Sequence, residues 1–294
     1  MNSIKHIYLA EPRGFCAGVI RAVQIVEDRL KEHGVPVYVR HEIVHNKFVV
    51  DSFRKAGVKF IEKLEEVPSG ETVIFSAHGV SPEVEEKANK MGLNCIDATC
   101  PLVKKIHEKA LQLKQAGYTI LLIGDKDHPE LVGTLGNLDG DAIIIENTQD
   151  ASNFAIPDNT EKVTYLTQTT LSPEDVEEIT AILMERLPGL ESPAKNDICY
   201  ATLERQEAIK KLAEKCDTIL VLGSPESSNS NRLTQAAINA GASAYLIDSF
   251  KDVSDDVIEL SVNIGITAGA SAPEILVQQT VEFLQKKGFE LVPD

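Results

Sequence analysis

A chain of 294 residues, 43% hydrophobic and 25% charged, can bury a sizeable core and suits one large α/β unit or two to three small domains. Its net charge of -16 argues against a general nucleic-acid binder, and no apolar run approaches a membrane span. The five cysteines are odd in number and lack a CxxC pair, so neither a disulfide framework nor a zinc ribbon is suggested. Met1 to Tyr8 holds one lysine and then a short strand, not a signal-peptide layout, which leads to the expectation of a cytoplasmic protein with reduced cysteines.

Hydrophobic alternation predicts strands near residues 6–11, 35–40, 58–61, 72–76, 93–97, 118–123, 141–145, 162–167, 217–222, 243–247 and 262–267. Helical spacing predicts helices near 17–33, 46–56, 82–91, 101–116, 128–136, 173–187, 200–214, 229–240 and 273–287. Alternating strands and helices imply an α/β fold with mainly parallel sheets covered on both faces. Turn-forming joints fall at Pro68-Ser69-Gly70, at Leu138-Asp139-Gly140 and at Pro188 to Pro193, the last being the best linker candidate.

Three cysteines share one local setting. Cys16 follows the first strand and opens a helix. Cys100 stands between a strand and Pro101, which fits the first helical position. Cys199, in Asp197-Ile198-Cys199-Tyr200, opens the helix through Leu212. A helix N-terminus favours thiolate, the form that binds metal or attacks. The chain therefore reads as three lobes, each bringing one cysteine to a shared centre. Three thiolates suit an iron–sulfur cluster, with one iron left open as a Lewis acid. The plainer reading of any cysteine is a small buried hydrophobe, and it is assigned to Cys95 and Cys216.

The other polar residues gather where strands end, the rim at which parallel sheets bind ligands. They are His45, His78, His128 with Glu130, Thr169, Ser224 to Asn229, and Ser271. Each is also readable as a turn or a cap. Ser271-Ala272-Pro273-Glu274 has the capping-box pattern, and Ser81-Pro82 and Ser172-Pro173 read as caps. His41-Glu42-Ile43-Val44-His45 matches H-E-x-x-H, but that zinc motif works on a helix, and these flanks predict a loop. Ser224 to Arg232 offers hydroxyls, amides and a helix start, either a phosphate cradle or a capped turn. Glu130 is either a proton donor with a raised pKa or a helix-dipole complement. No G-x-G-x-x-G or P-loop motif is present.

Taken together, Arg13–Val19, Glu42–Asn46, Ser76–Ser81, Asp97–Pro101, His128–Glu130, Thr167–Ser172, Asp197–Thr202, Ser227–Arg232 and Thr267–Pro273 resemble the 4-hydroxy-3-methylbut-2-enyl diphosphate reductases, the LytB-type iron–sulfur enzymes ending the non-mevalonate isoprenoid route. Two departures are Asp127, where the family pattern has glycine, and Glu226, an added anion beside the cradle. The resemblance implies three similar α/β lobes in a trefoil around a central cluster, spanning 17–99, 100–195 and 196–294, the last joined by 1–16. It implies one 4Fe–4S cluster per chain on Cys16, Cys100 and Cys199. It assigns His45, His78, His128, Thr169, Ser227, Ser228, Asn229 and Ser271 to substrate binding. Glu130 supplies protons, with His128 and Thr169 completing the relay. The implied partners are the diphosphate substrate and an electron donor such as ferredoxin or flavodoxin, with no nucleic acid and no membrane. The nearest rival is a three-cysteine iron–sulfur hydro-lyase, which needs no electrons. A zinc peptidase and a non-catalytic phosphate-binding module are the others.

Overall fold

The computed structural model describes residues 5–157, 160–193 and 197–293. β1 (Lys5–Leu9) leads to α1 (Ala17–His33), and β2 (Val37–Arg40) to α2 (Lys47–Lys55). β3 (Val58–Ile61) and β4 (Thr72–Phe75) precede α3 (Pro82–Lys90). Next come β5 (Asn94–Asp97), α4 (Pro101–Gln115), β6 (Thr119–Ile123), α5 (Pro129–Asn137) and β7 (Ile143–Ile145). α6 (Thr148–Asn153), β8 (Val163–Thr167), α7 (Pro173–Arg186), β9 (Leu190–Glu191) and α8 (Tyr200–Ala213) follow. β10 (Thr218–Leu222), α9 (Ser228–Asn239), β11 (Ser243–Ile247), α10 (Asp255–Leu260), β12 (Asn263–Ala268), α11 (Glu274–Lys286) and β13 (Phe289–Leu291) complete the order. No helix among the described residues is long and apolar enough to cross a membrane.

The chain falls into two compact units. The first runs to Ile20, resumes at Val44–Lys55 and continues from Tyr200; the second comprises Arg21–Ile43 and Ala56–Cys199. The first unit carries one sheet in the order β11-β10-β12-β1-β13. The second carries two, β3-β2-β4-β5 and β7-β6-β8-β9. Every strand pairing among the described residues is parallel. The same order occurs three times. A first strand (β2, β6 or β10) has the next strand on one side. The third (β4, β8 or β12) crosses to its other side, and a fourth (β5, β9 or β1) lies beyond. Each first and third strand therefore brackets a topological switch point, where loops part to leave a crevice.

Burial explains the strand sequences. In the first unit Leu220 and Leu222 of β10 pack with Leu276, Val277 and Leu284 of α11. The alternate residues Ile219 and Val221 pack with Ile209 and Leu212 of α8 and Leu233 of α9. A strand covered on both faces reads as a continuous apolar run, which is why Thr218–Leu222 lacks polar alternation. In the second unit Val73 and Phe75 of β4 pack with Ala88 and Leu93, while Ile120 and Leu122 of β6 pack with Ile106, Leu131 and Leu138.

The structure corrects several expectations. The Pro188 to Pro193 segment is not a bare linker, because β9 lies within it and pairs with β8 at Val163↔Leu190. α6, α10 and β13 are additional elements, too short to print a period on the sequence. Cys95 is exposed on the edge strand β5, not a buried hydrophobe, whereas Cys216 is buried as expected. The lobe boundary expected at 195–196 lies outside the described residues.

Candidate active site

The three helix-start cysteines are held in one way. Each backbone N–H donates to the carbonyl of the second residue past a third strand. Cys16 N donates to Ala270 O at 3.2 Å, Cys100 N to Ala77 O at 2.9 Å and Cys199 N to Thr169 O at 2.8 Å. All three side chains are half-buried, and α1, α4 and α8 begin at the next residue. Cys216 differs: burial pushes its thiol up to about 12. Burial also raises the Cys95 thiol, and Glu85 adds to the effect. Neither setting favours a thiolate.

In the first unit the switch point between β10 and β12 is lined with hydroxyls and amides. Ser227 caps α9, its Oγ accepting from Ser230 N at 3.3 Å and lying 3.0 Å from Ser230 Oγ. Ser271 Oγ lies 3.4 Å from Ser227 Oγ and donates to His45 O at 2.9 Å. Asn229 Oδ1 accepts from Ala270 N at 2.9 Å. Ser227, Asn229, Ser230 and Ser271 are all buried, and Ser228 is half-buried in the first turn of α9. The cluster is tight enough to require glycine opposite it. A Cβ at Gly223 or Gly269 would stand 2.1 or 2.2 Å from Ser230 Oγ. A helix N-terminus framed by buried donors is suited to an anion.

Ser271 is not the N-cap that its sequence pattern suggests. α11 begins at Glu274 with Pro273 as its cap residue, so the Ser271 side chain turns to His45 O and Ser227 instead. Ser81 and Ser172 do cap α3 and α7, accepting from Val84 N and Asp175 N. His41 to His45 form a series of bends, not a helix, and His41 Nδ1 lies 2.7 Å from the Glu62 carboxylate.

In the second unit the switch point between β6 and β8 holds a carboxylic acid. Glu130 is 3% exposed, in the first turn of α5. Its Oε1 accepts from Thr169 N at 2.7 Å and its Oε2 from Thr169 Oγ1 at 2.8 Å. Burial raises the carboxyl to about 7, against the lowering effect of the two Thr169 bonds. A group with that value exchanges a proton near neutral pH. Thr169 is therefore a hub, because its carbonyl also accepts from Cys199 N. His128 caps α5 through Nδ1, which accepts from Glu130 N at 3.2 Å, so the neutral ring carries its proton on Nε2. The His78 ring stands edge-on to His128 with centroids 5.6 Å apart, and Ser76 Oγ is 3.2 Å from His78 Nδ1.

The predicted residues thus divide between the units. Cys16, His45, Ser227, Ser228, Asn229 and Ser271 lie in the first, and His78, Cys100, His128, Glu130, Thr169 and Cys199 in the second. Several participants lie in or near the stretches singled out in the sequence without having been given a role of their own. Ser230 is fully buried against Ser227. Ser224 is buried, accepts from Lys47 N and donates to Asp248. Asp197 receives Lys109 at 2.6 Å. Arg205 is buried against the carbonyl of Gly14.

Fold and side chains describe an α/β protein with a buried carboxyl near 7 at one switch point and a helix start framed by buried hydroxyls and an amide at another. The chain belongs to the LytB protein family, whose model matches residues 7–285. It is 49% identical over 282 residues to 4-hydroxy-3-methylbut-2-enyl diphosphate reductase 2 of Burkholderia mallei, covering 96% of this chain and 86% of that one. It is 50% identical over 285 residues to the reductase of Aromatoleum aromaticum, covering 97% and 91%. Among solved structures it resembles the E-1-hydroxy-2-methyl-but-2-enyl-4-diphosphate reductase of Plasmodium falciparum, with a TM-score of 0.92, 39% identity and coverage of 98% and 91%. A second, described as the terminal enzyme of the non-mevalonate pathway, matches with a TM-score of 0.68 and 36% identity over 96% of this chain and 100% of that one.

Proposed function

We propose that this chain reductively removes the hydroxyl of 4-hydroxy-3-methylbut-2-enyl diphosphate, giving isopentenyl and dimethylallyl diphosphate, the last step of the non-mevalonate route. Family membership and the relatives' names support the reaction. The observation that carries the chemistry is Glu130, a buried carboxyl poised near 7 and tied through Thr169 to the Cys199 turn.

The chain is an iron–sulfur enzyme in this reading, with Cys16, Cys100 and Cys199 holding one 4Fe–4S cluster and the chain forming three lobes around it. The donor set fits: three half-buried thiols at helix starts, each on the same backbone anchor. When bound, such a cluster would supply electrons and Lewis-acid chemistry beside the three cysteines. His45, His78, Ser227, Ser228, Asn229 and Ser271 bind the diphosphate, and that remote binding energy holds the reacting carbon in place. Hydroxide leaves poorly, so Glu130 donates a proton as the C–O bond breaks and water departs; two electrons and a second proton, taken at either end of the allyl unit, complete the two products. Thr169 Oγ1 fixes the carboxyl, and His128 Nε2–H offers a second donor. Electrons come from a small low-potential carrier such as ferredoxin or flavodoxin.

Iron and acid-labile sulfide assays on anaerobically purified protein, followed by substrate turnover with and without reductant, test the reading. Cluster and reductant-dependent loss of hydroxyl are expected. Turnover without reductant would identify a hydro-lyase instead, and zinc in place of iron a peptidase.

A further inference from the structure

Three cations make a pattern that neither the acid nor the anion cradle uses. The helix leaving each helix-start cysteine carries a basic residue that grips the turn entering another. Arg21, on the helix after Cys16, donates from Nη1 to Thr99 O at 3.1 Å and from Nη2 to Asp97 O at 3.3 Å, the turn before Cys100. Lys109, on the helix after Cys100, pairs with Asp197 at 2.6 Å, two residues before Cys199. Arg205, on the helix after Cys199, donates from Nε and Nη2 to Gly14 O at 3.1 and 2.7 Å, two residues before Cys16. The three contacts close a cycle through the chain: 16 to 100, 100 to 199, 199 to 16.

Arg205 stands apart within that cycle. It is 4% exposed, and its remaining bond runs from Nη1 to Ala201 O at 2.8 Å. Among the described residues no carboxylate pairs with it, while Lys109 has Asp197. A buried cation normally has an anionic partner, because desolvating a lone charge is costly. Its place is also unfavourable for a cation, since bonding to Ala201 O puts the guanidinium by the first turn of α8, the positive end of the helix. Both costs are offset if an anion is bound near Cys16. Gly14, the residue it grips, has φ +67° and fits only a tight turn.

We propose that Arg21, Lys109 and Arg205 are positioning residues that clamp the three ligand turns in a cycle, and that Arg205 is also the fixed counter-charge of the anionic group those cysteines hold. The proposal rests on the iron–sulfur reading above. Its first consequence is mutual dependence: loosening one clamp frees a turn that carries a ligand. Its second is electrostatic, since a nearby cation favours the reduced, more negative state of a cluster.

The test uses anaerobically purified holoenzyme. Iron release to a chelator and the midpoint potential, from dye-mediated titration followed by EPR, are measured for wild type, Arg21→Gln, Lys109→Gln, Arg205→Gln and Arg205→Lys, with exposed Lys105→Gln as control. Release at least about tenfold faster is expected in the four clamp variants and unchanged release in the control. Arg205→Gln should shift the reduction equilibrium at least about tenfold towards the oxidised state, 59 mV for one electron. Arg205→Lys, Arg21→Gln and Lys109→Gln should keep the potential. Wild-type release rates in all clamp variants refute the clamps. An unmoved potential in Arg205→Gln refutes the counter-charge and leaves a purely structural arginine. If Arg205→Gln does not fold, Arg205→Lys decides: a wild-type potential with faster iron loss supports the proposal, and a tenfold shift refutes it. Wild-type protein without iron and sulfide would instead remove the cluster reading, and this proposal with it.

Discussion

Replacing Glu130 by glutamine separates its proton from its shape. Glu130 is buried, and burial lifts its carboxyl from 4.5 to about 7. That shift corresponds to about 3 kcal/mol between the two protonation states. The sign follows from proton binding. Between 4.5 and 7 the folded state holds a proton that the unfolded state has released, so stability is complete below 4.5 and is lost as pH rises through 7. Glutamine keeps the hydrogen bonds: its oxygen accepts from Thr169 N, and its amide donates to Thr169 Oγ1. Glu130→Gln should therefore unfold within about 1 kcal/mol of wild type at pH 5 and be the more stable protein, by about 3 kcal/mol, at pH 9. At about 2 °C per kcal/mol for a chain of this size, the melting temperatures should diverge by several degrees across that range. Turnover should fall by roughly 10²–10⁴, in kcat and not in substrate affinity, because the proton matters only as the C–O bond breaks. Melting scans from pH 5 to 9 and anaerobic single-turnover kinetics on one preparation measure both effects. Parallel pH profiles in the two proteins, or near-normal turnover in the variant, would refute the assignment.

Burial acts with the opposite sign on His107, holding its imidazole down at about 4. The unfolded state takes up a proton below 6.5 that the folded state refuses, so this contribution is present above 6.5 and lost as pH falls through 4; the stability gap between wild type and His107→Gln should narrow by about 3 kcal/mol from pH 7 to pH 4 in denaturant titrations. Cys16→Ser, Cys100→Ser and Cys199→Ser should each lose iron or activity, while exposed Cys95→Ser and buried Cys216→Ser keep both; equal iron content in Cys100→Ser and Cys95→Ser sinks the ligand assignment. Ser227→Ala or Asn229→Ala should raise KM with a normal cluster spectrum, whereas Gly269→Ala, whose Cβ meets Ser230 Oγ at 2.2 Å, should cost about 1–3 kcal/mol of stability in urea melts.

The long elements were legible because they repeat. α1 and α4 span four or more turns, and β10 is apolar throughout. The two-residue β9 carries no period at all; its pairing with β8, not its residues, makes it a strand. Cys95 was misread because Leu93 and Ile96 beside it suggested a buried strand, while an edge position leaves it exposed. The capping reading of Ser271 fails although S-x-x-E is a good capping pattern: Pro273 takes the cap position, and the hydroxyl turns to His45 O and Ser227. Strand–helix corners were enough to place Cys16, Cys100 and Cys199 at helix starts. Arg205 and Asp197 were not legible, since a contact from α8 to Gly14 or from α4 to Asp197 exists only once the chain is folded.

Three similar parallel lobes were expected from the sequence, but the strand order they share was not, because equivalent backbone positions carry different side chains. β2 ends at Arg40, β6 at Ile123 and β10 at Leu222, and five residues on stand His45, His128 and Ser227. Seven residues on stand Lys47, Glu130 and Asn229. The last two do the same structural work. Asn229 Oδ1 accepts from Ala270 N at 2.9 Å, and Glu130 Oε1 accepts from Thr169 N at 2.7 Å. Ala270 and Thr169 are themselves equivalent, each the second residue past its third strand and each the anchor of a cysteine N–H. In one sheet, then, a neutral amide satisfies that backbone donor without a titration penalty. In the other a carboxyl does so, although ionising it in place costs about 3 kcal/mol. Holding the turn does not require a carboxyl, because Asn229 holds its own turn without one. What the carboxyl adds at that position is a proton it can exchange near pH 7, which is what the proposed reaction calls for as the C–O bond breaks.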